Sequence, residues 1–140
     1  MESITFFSED IDFLLSDQQK ITDWITSSID KEGFTLGEIS CIFCSDDYLH
    51  NINLTYLKHD TYTDVITFDY TEKTIINGDI FISIDRVKDN AKMYHKTFEN
   101  ELHRVIVHAV LHLLGYKDKS TEEVDVMRAK EDFYLSLLSI

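Results

Sequence analysis

Proline is absent from this 140-residue chain, and glycine occurs only four times. No Pro/Gly-rich stretch therefore offers a linker at which to divide it. There is no internal repeat and no low-complexity run. Long apolar runs are also missing: none approaches the ~18 residues that a membrane-spanning helix needs. The start, Met1-Glu2-Ser3-Ile4-Thr5-Phe6, lacks the basic segment and apolar stretch of a secretory signal. Cysteine is scarce. Cys41 and Cys44 form a C-x-x-C, but they lie in an apolar, β-like run rather than at a helix start, where the dipole would activate a thiol. One Cys pair cannot complete a four-ligand zinc site, so both are read as strand residues. Reduced thiols and no signal sequence point to the cytoplasm.

Positive charge is in short supply. Thirteen basic residues face 26 acidic ones, for a net charge of −13. Nucleic-acid binders more often carry a basic patch. The deficit is uneven. Residues 1–50 hold two basic residues against eleven acids, and residues 51–140 hold eleven against fifteen. Lys88, Lys92, Lys96, His103 and Arg104 are the residues from which a local basic face could be built. An ordinary solvated helix surface accounts for them equally well and is the preferred reading.

What is present suffices for one core. Apolar residues make up 44% of the chain, and the length suits a single domain spanning 1–140. Ile4 to Phe7 reads as a short strand and Ile39 to Cys44 as a second. Asp64 to Tyr70, β-branched and aromatic, is a third, and Ile75 to Ile84 is a fourth. The last two make a hairpin turning at Thr71 to Thr74. Helices are expected after a capping box at Ser16-Asp17-Gln18-Gln19, after Ser45, from about Asp85 to Tyr94, after Thr97, and after a second capping box at Ser120 to Glu123. Gly33 and Gly115 are helix stops. In the fourth helix Leu102, Val105, Ile106, Ala109 and Leu113 form a core stripe. The fifth carries Val124, Met127, Phe133, Leu137 and Leu138. The expected fold is α+β: one domain, a mixed sheet of about four strands packed by about five helices.

The chemistry lies in His108-Ala109-Val110-Leu111-His112-Leu113-Leu114-Gly115-Tyr116-Lys117-Asp118. Two histidines four apart share one helix face. Both imidazoles can then reach one ion at ~2.0–2.1 Å. Gly115 permits a left-handed turn that returns Asp118 toward the same point. The pattern H-x-x-x-H-x-x-G-x-x-D has the spacing of the extended zinc-protease signature, with Asp in the last ligand place. Three protein ligands leave one position open, as in a catalytic site, whereas a structural site is closed by a fourth. The expected cofactor is one Zn²⁺ per chain, although imidazole plus carboxylate also suits nickel, cobalt or iron. The general-base Glu of the proteases is replaced by Ala109, which disfavours a metallopeptidase. A metal-activated water would still serve phosphodiester hydrolysis.

The same residues resemble the signature of the YbeY family of metal-dependent endoribonucleases, H-G-x-L-H-L-x-G-Y-D-H. The match falls at His108, Leu111, His112, Leu113, Gly115 and Tyr116. A second block, L-N-x-x-Y-R-x-K-D-x-P-T-D-V-L-S-F in the family, resembles Ile52 to Phe68, and Gly78-Asp79-Ile80 resembles a third. Three departures matter: Asp118 stands for the third His, Ala109 for Gly, and Leu57 for an Arg suited to phosphate contact. The resemblance implies a single-strand-specific endoribonuclease that matures the 3′ end of small-subunit ribosomal RNA and acts in ribosome quality control. A zinc-bound water would be the nucleophile. Its partners would be single-stranded ribosomal RNA and the small subunit. The alternative is a ribosome-assembly RNA-binding factor with a structural metal, favoured by Leu57 and the net charge. Lys58 or His59 could replace the missing Arg. Lys58, His59 and Arg104 are the catalytic candidates beyond the metal-bound water, and Asn53, Lys58, Thr63 and Arg104 are candidates to contact RNA. Asp64 reads more simply as part of a turn bonded to nearby backbone. Asp79 is a candidate partner for a metal-bound imidazole.

Overall fold

In the computed structural model, which describes residues 3–138, four strands and five helices alternate through most of the chain. The strands are β1 (Ser3–Ser8), β2 (Thr35–Cys44), β3 (Val65–Asp69) and β4 (Ile75–Ser83). The helices are α1 (Gln18–Lys31), α2 (Asp46–Leu57), α3 (Ile84–Met93), α4 (Phe98–Leu113) and α5 (Thr121–Ser136). The sheet order is β1-β2-β4-β3. β1, β2 and β4 run parallel, and β3 turns back antiparallel at one edge through the β3–β4 hairpin. This is the mixed α+β sheet expected from the order of elements.

The period of two in the strands sorts their side chains between two cores. Ile39, Cys41 and Phe43 of β2, with Ile76, Ile80 and Ile82 of β4, enter the larger core. There they meet Ile21, Trp24 and Ile29 of α1, the whole stripe of α4, and Met127 and Tyr134 of α5. The opposite face is thinner. Cys44, Ile66 and Phe81 pack there against Leu49 and Ile52 of α2. Both cysteines are free and buried, and burial pushes each thiol up to about 12, which disfavours the reactive thiolate. α4 crosses the sheet close to β4. A Cβ added at Gly78 would meet the Phe68 carbonyl oxygen at 2.8 Å and Leu113 Cδ2 at 2.9 Å, so only glycine lets the helix end that carries His112 approach this closely.

Most caps form as expected. Ser45, Thr97 and Ser120 accept the backbone N–H three residues on, and Ser120 with Glu123 completes a reciprocal capping box. Ser83 caps α3, which starts one residue earlier than expected. The box at Ser16 does not form. α1 starts from Asp17 in a left-handed conformation (φ 58°) with no side-chain cap, a geometry that Asp tolerates better than most residues. The inward face of α5 also differs. Met127, Glu131 and Tyr134 are buried, while Val124, Phe133 and Leu137 are largely exposed. A three- and four-residue spacing does pick out 127, 131 and 134, but it requires an acid on the buried face.

Candidate metal centre and RNA groove

His108 and His112 leave α4 on one face, one turn apart. Beyond them the helix ends in a Schellman turn: the Tyr116 N–H donates to the Leu111 carbonyl at 3.0 Å, and the Gly115 N–H to the His112 carbonyl at 3.0 Å. Gly115 sits at φ +104°, open to glycine and strained for other residues. This turn sends Asp118 back over the helix face. Its Oδ2 lies 3.2 Å from His112 Nε2 and 3.3 Å from His108 Nε2, and the two imidazole nitrogens are 3.1 Å apart. Among the described residues this is the one group of His, Cys and acidic side chains gathered tightly enough to hold an ion. A tetrahedral ion ~2.0–2.1 Å from each donor separates its ligands by about 3.3–3.4 Å. The triangle fits that requirement, with one apex left for water or substrate.

Each imidazole must present a lone pair to such an ion. For His108 the tautomer is set from behind: Nδ1 donates to Glu131 Oε2 at 2.6 Å, which leaves the Nε2 lone pair for such an ion. Glu131 is only 4% exposed and takes Arg104 Nη1 on its other oxygen at 2.8 Å, while Arg104 Nη2 donates to Asp132 at 2.7 Å. Burial would raise the Glu131 carboxyl, but the His108 and Arg104 bonds outweigh it and hold the group below the usual carboxylate range. For His108 burial works downward, and Glu131, with Asp118 and Asp64 beyond, holds the imidazole above its ordinary value. The partner proposed from sequence was Asp79. Its carboxylate instead accepts the Tyr70 hydroxyl at 3.2 Å, and Glu131, 23 residues beyond His108, occupies that role.

In front of the triad is a groove of about 380 Å³. Asn53, Leu57, His59 and Thr63 line it together with Asp64. The loop between α2 and β3 supplies most of this wall and is pinned at several points. Asn53 Nδ2 donates to the Thr61 carbonyl at 2.9 Å, His50 pairs with Asp60 at 2.8 Å, and Tyr62 stacks on His50 with centroids 4.2 Å apart. Asn53 is 4% exposed, so its amide shapes the loop from beneath. Lys58 caps α2 at φ 59°, exposed and outside the groove wall. Arg104 is also outside it: with Glu131 and Asp132 it lines a second cleft on the far side of His108. Asp64 is half-buried between the two cavities. Burial raises its carboxyl above the ordinary range, and the pull of His108 and its bonds to the backbone N–H groups of Asp64 and Val65 offset only part of this. It is therefore both the turn residue expected and a wall of the site. The five cations considered for a basic face do not share one. His103 is buried edge-on to Trp24 with ring centroids 6.2 Å apart, while Arg104 is ion-paired beside Glu131.

A family profile described as "Endoribonuclease YbeY" matches residues 4–139. The chain belongs to the YbeY endoribonuclease family. A curated YbeY endoribonuclease from Cytophaga hutchinsonii is 54% identical over 137 residues, covering 97% of this chain and 96% of that one. Another, from Flavobacterium johnsoniae, is 48% identical over 134 residues and 96% of each chain. A Thermotoga maritima protein of known solution structure superposes with a TM-score of 0.69 at 25% identity, over 97% of this chain and 89% of that one. Membership makes the chain an endoribonuclease, a hydrolase acting on RNA. No helix among the described residues is long and apolar enough to cross a membrane.

Proposed function

We propose that this YbeY-family chain cuts single-stranded ribosomal RNA, maturing the 3′ end of the small-subunit RNA and serving ribosome quality control in the cytoplasm. One zinc ion would be held by His108, His112 and Asp118. The observation that carries this reading is the three-donor triangle with 3.1–3.3 Å edges at the floor of an open groove. When bound, such an ion offsets phosphodiester charge and brings the pKa of a coordinated water toward ~7.

The chain's own residues supply the rest. Glu131 orients His108, and Arg104 holds Glu131. Asn53 fixes the loop that presents His59 and Thr63 to the groove. His59, on the groove wall, would meet the phosphate where Leu57 offers no hydrogen-bond donor. A groove of about 380 Å³ has room for an unstacked nucleotide, in keeping with recognition of RNA through splayed, single-stranded bases. The net charge of −13 works against RNA approach, so binding of the isolated protein is expected to be modest and salt-sensitive.

The test is elemental analysis of wild type beside His112→Ala and Asp118→Ala, followed by cleavage of a single-stranded fragment of small-subunit ribosomal RNA. About one zinc per chain in wild type, loss in the His variant, weakening in the Asp variant and parallel loss of cleavage are expected. If chelation leaves cleavage intact, the metal has no catalytic part. If the metal is present but RNA is bound and not cut, the protein is an assembly factor, the reading that Leu57 favours.

A further inference from the structure

The second cleft, behind His108, measures about 300 Å³ and shares Asp64 and His108 with the groove in front. That is the lower end of the ~300–1,000 Å³ range of small-ligand pockets, with room for a purine ring system. Glu101, on the first turns of α4, lines this cleft and is 6% exposed. No described residue gives it a hydrogen bond or an ion pair. The neighbouring Arg104 directs one N–H of each terminal nitrogen at Glu131 and Asp132, and makes no hydrogen bond to Glu101. A buried carboxylate with no donor is costly unless a ligand supplies one. No Glu101 oxygen is sealed away without a partner, so the carboxylate keeps some access to solvent, and the residue lines this cleft. Burial, with Asp64 and Glu131 nearby, holds this carboxyl above its ordinary range, although Arg104 and Arg128 pull it down.

The rim has what a nucleotide requires. Tyr94 is 55% exposed and offers an aromatic face. Lys96 and Arg128 are exposed and ion-paired with no described residue, which is notable in a chain with twice as many acids as bases.

We propose that this cleft is a nucleobase subsite that receives a guanine next to the cleaved phosphodiester, with the Glu101 carboxylate accepting its N1–H and N2–H. Guanine alone among the neutral RNA bases presents two adjacent donors to match the two oxygens of a carboxylate. Tyr94 stacks on the ring. Lys96 and Arg128 meet the flanking phosphates and so provide the positive charge that Leu57 withholds from the front groove. The shared His108–Asp64 wall sets the subsite beside the triad. The inference rests on the reading of that triad as the cleavage centre.

The first measurement does not depend on cleavage. Metal-free, isotopically labelled protein is titrated with the 5′-monophosphates of guanosine, adenosine, cytidine and uridine and followed by amide NMR. The guanosine nucleotide is expected to shift the amides around Glu101 and Tyr94 and to bind roughly tenfold tighter than the other three. Tyr94→Ala, at an exposed position, is expected to weaken it by a similar factor while leaving the thermal midpoint in place. Glu101→Gln replaces two acceptors with one acceptor and one donor, and is expected to abolish the guanine preference and favour adenine. A preference kept in Glu101→Gln, equal binding of all four nucleotides, or shifts confined to the front groove would each overturn the proposal. The second measurement compares cleavage of oligoribonucleotides differing in one base beside the cut, where a guanine preference in kcat/KM lost in Glu101→Gln is expected. Guanine-selective binding without metal-dependent cleavage would retain the subsite and reject the cleavage centre. Metal-dependent cleavage indifferent to base would do the reverse.

Discussion

Glu131 shows how a residue with no visible motif can govern one that has it. His108 can ligate an ion through Nε2 only when its proton resides on Nδ1, and Glu131 holds it there at 2.6 Å. In Glu131→Gln the charge that strengthens this bond is lost, and so is the partner of Arg104 Nη1. Zinc affinity measured by chelator competition is expected to fall about 10–100-fold, the usual effect of removing such a partner. A loss confined to the melting midpoint, with zinc affinity intact, would assign Glu131 a packing role. The clustering of His108, His112 and Asp118 was legible in the sequence because i,i+4 spacing and a glycine turn are local rules. Glu131 was not, because the pairing of α4 with α5 is tertiary. The available signal was an acid at the middle of the 127, 131 and 134 stripe. For the same reason Asp79 looked eligible from sequence, since nothing local reveals that it meets Tyr70.

At the scale of elements, the site depends on how α4 ends. The Gly115 and Tyr116 N–H bonds to the last-turn carbonyls and one positive-φ glycine convert a helix terminus into a return path for Asp118. No side chain crowds Gly115, so Gly115→Ala adds backbone strain without a clash. That strain costs roughly 1–3 kcal/mol. The expected outcome is a lower melting midpoint together with weaker zinc binding, because relaxation of the turn moves Asp118. Calorimetry on zinc-loaded and chelated protein separates the two effects, and an equal drop in both states would sever the turn from the metal. Four of the five helix starts were readable from Ser or Thr caps and from changes in periodicity. The start of α1 was not, because Asp17 adopts a left-handed conformation that leaves the Ser16 box unformed. The hairpin was readable, but the parallel placement of β4 between β2 and β3 was not, because register and neighbour order depend on the two-sided core.

Across the whole molecule, one carboxylate ties the site to distant elements. Glu32, at the end of α1, accepts the Tyr116 hydroxyl at 2.6 Å, the Lys130 ammonium at 3.0 Å, and the Tyr134 hydroxyl. Tyr116 lies two residues before Asp118, so α1, the metal turn and α5 converge on a single side chain. Burial pushes the Glu32 carboxyl up, but the three donors outweigh it and hold it below the ordinary value. A carboxylate depressed in the folded state stabilises the fold fully above its unfolded pKa of about 4.3, and that contribution disappears as pH falls through the lower folded value. Glu32→Gln removes the charge while keeping the shape. The melting midpoint of the variant is therefore expected to lie well below wild type at neutral pH, with the gap closing below about pH 4. Zinc affinity at neutral pH is expected to fall with it, because the variant loosens the turn that carries Asp118. A gap independent of pH would mean that Glu32 acts by packing alone. An unchanged zinc affinity would mean that the Schellman turn holds Asp118 without support from α1.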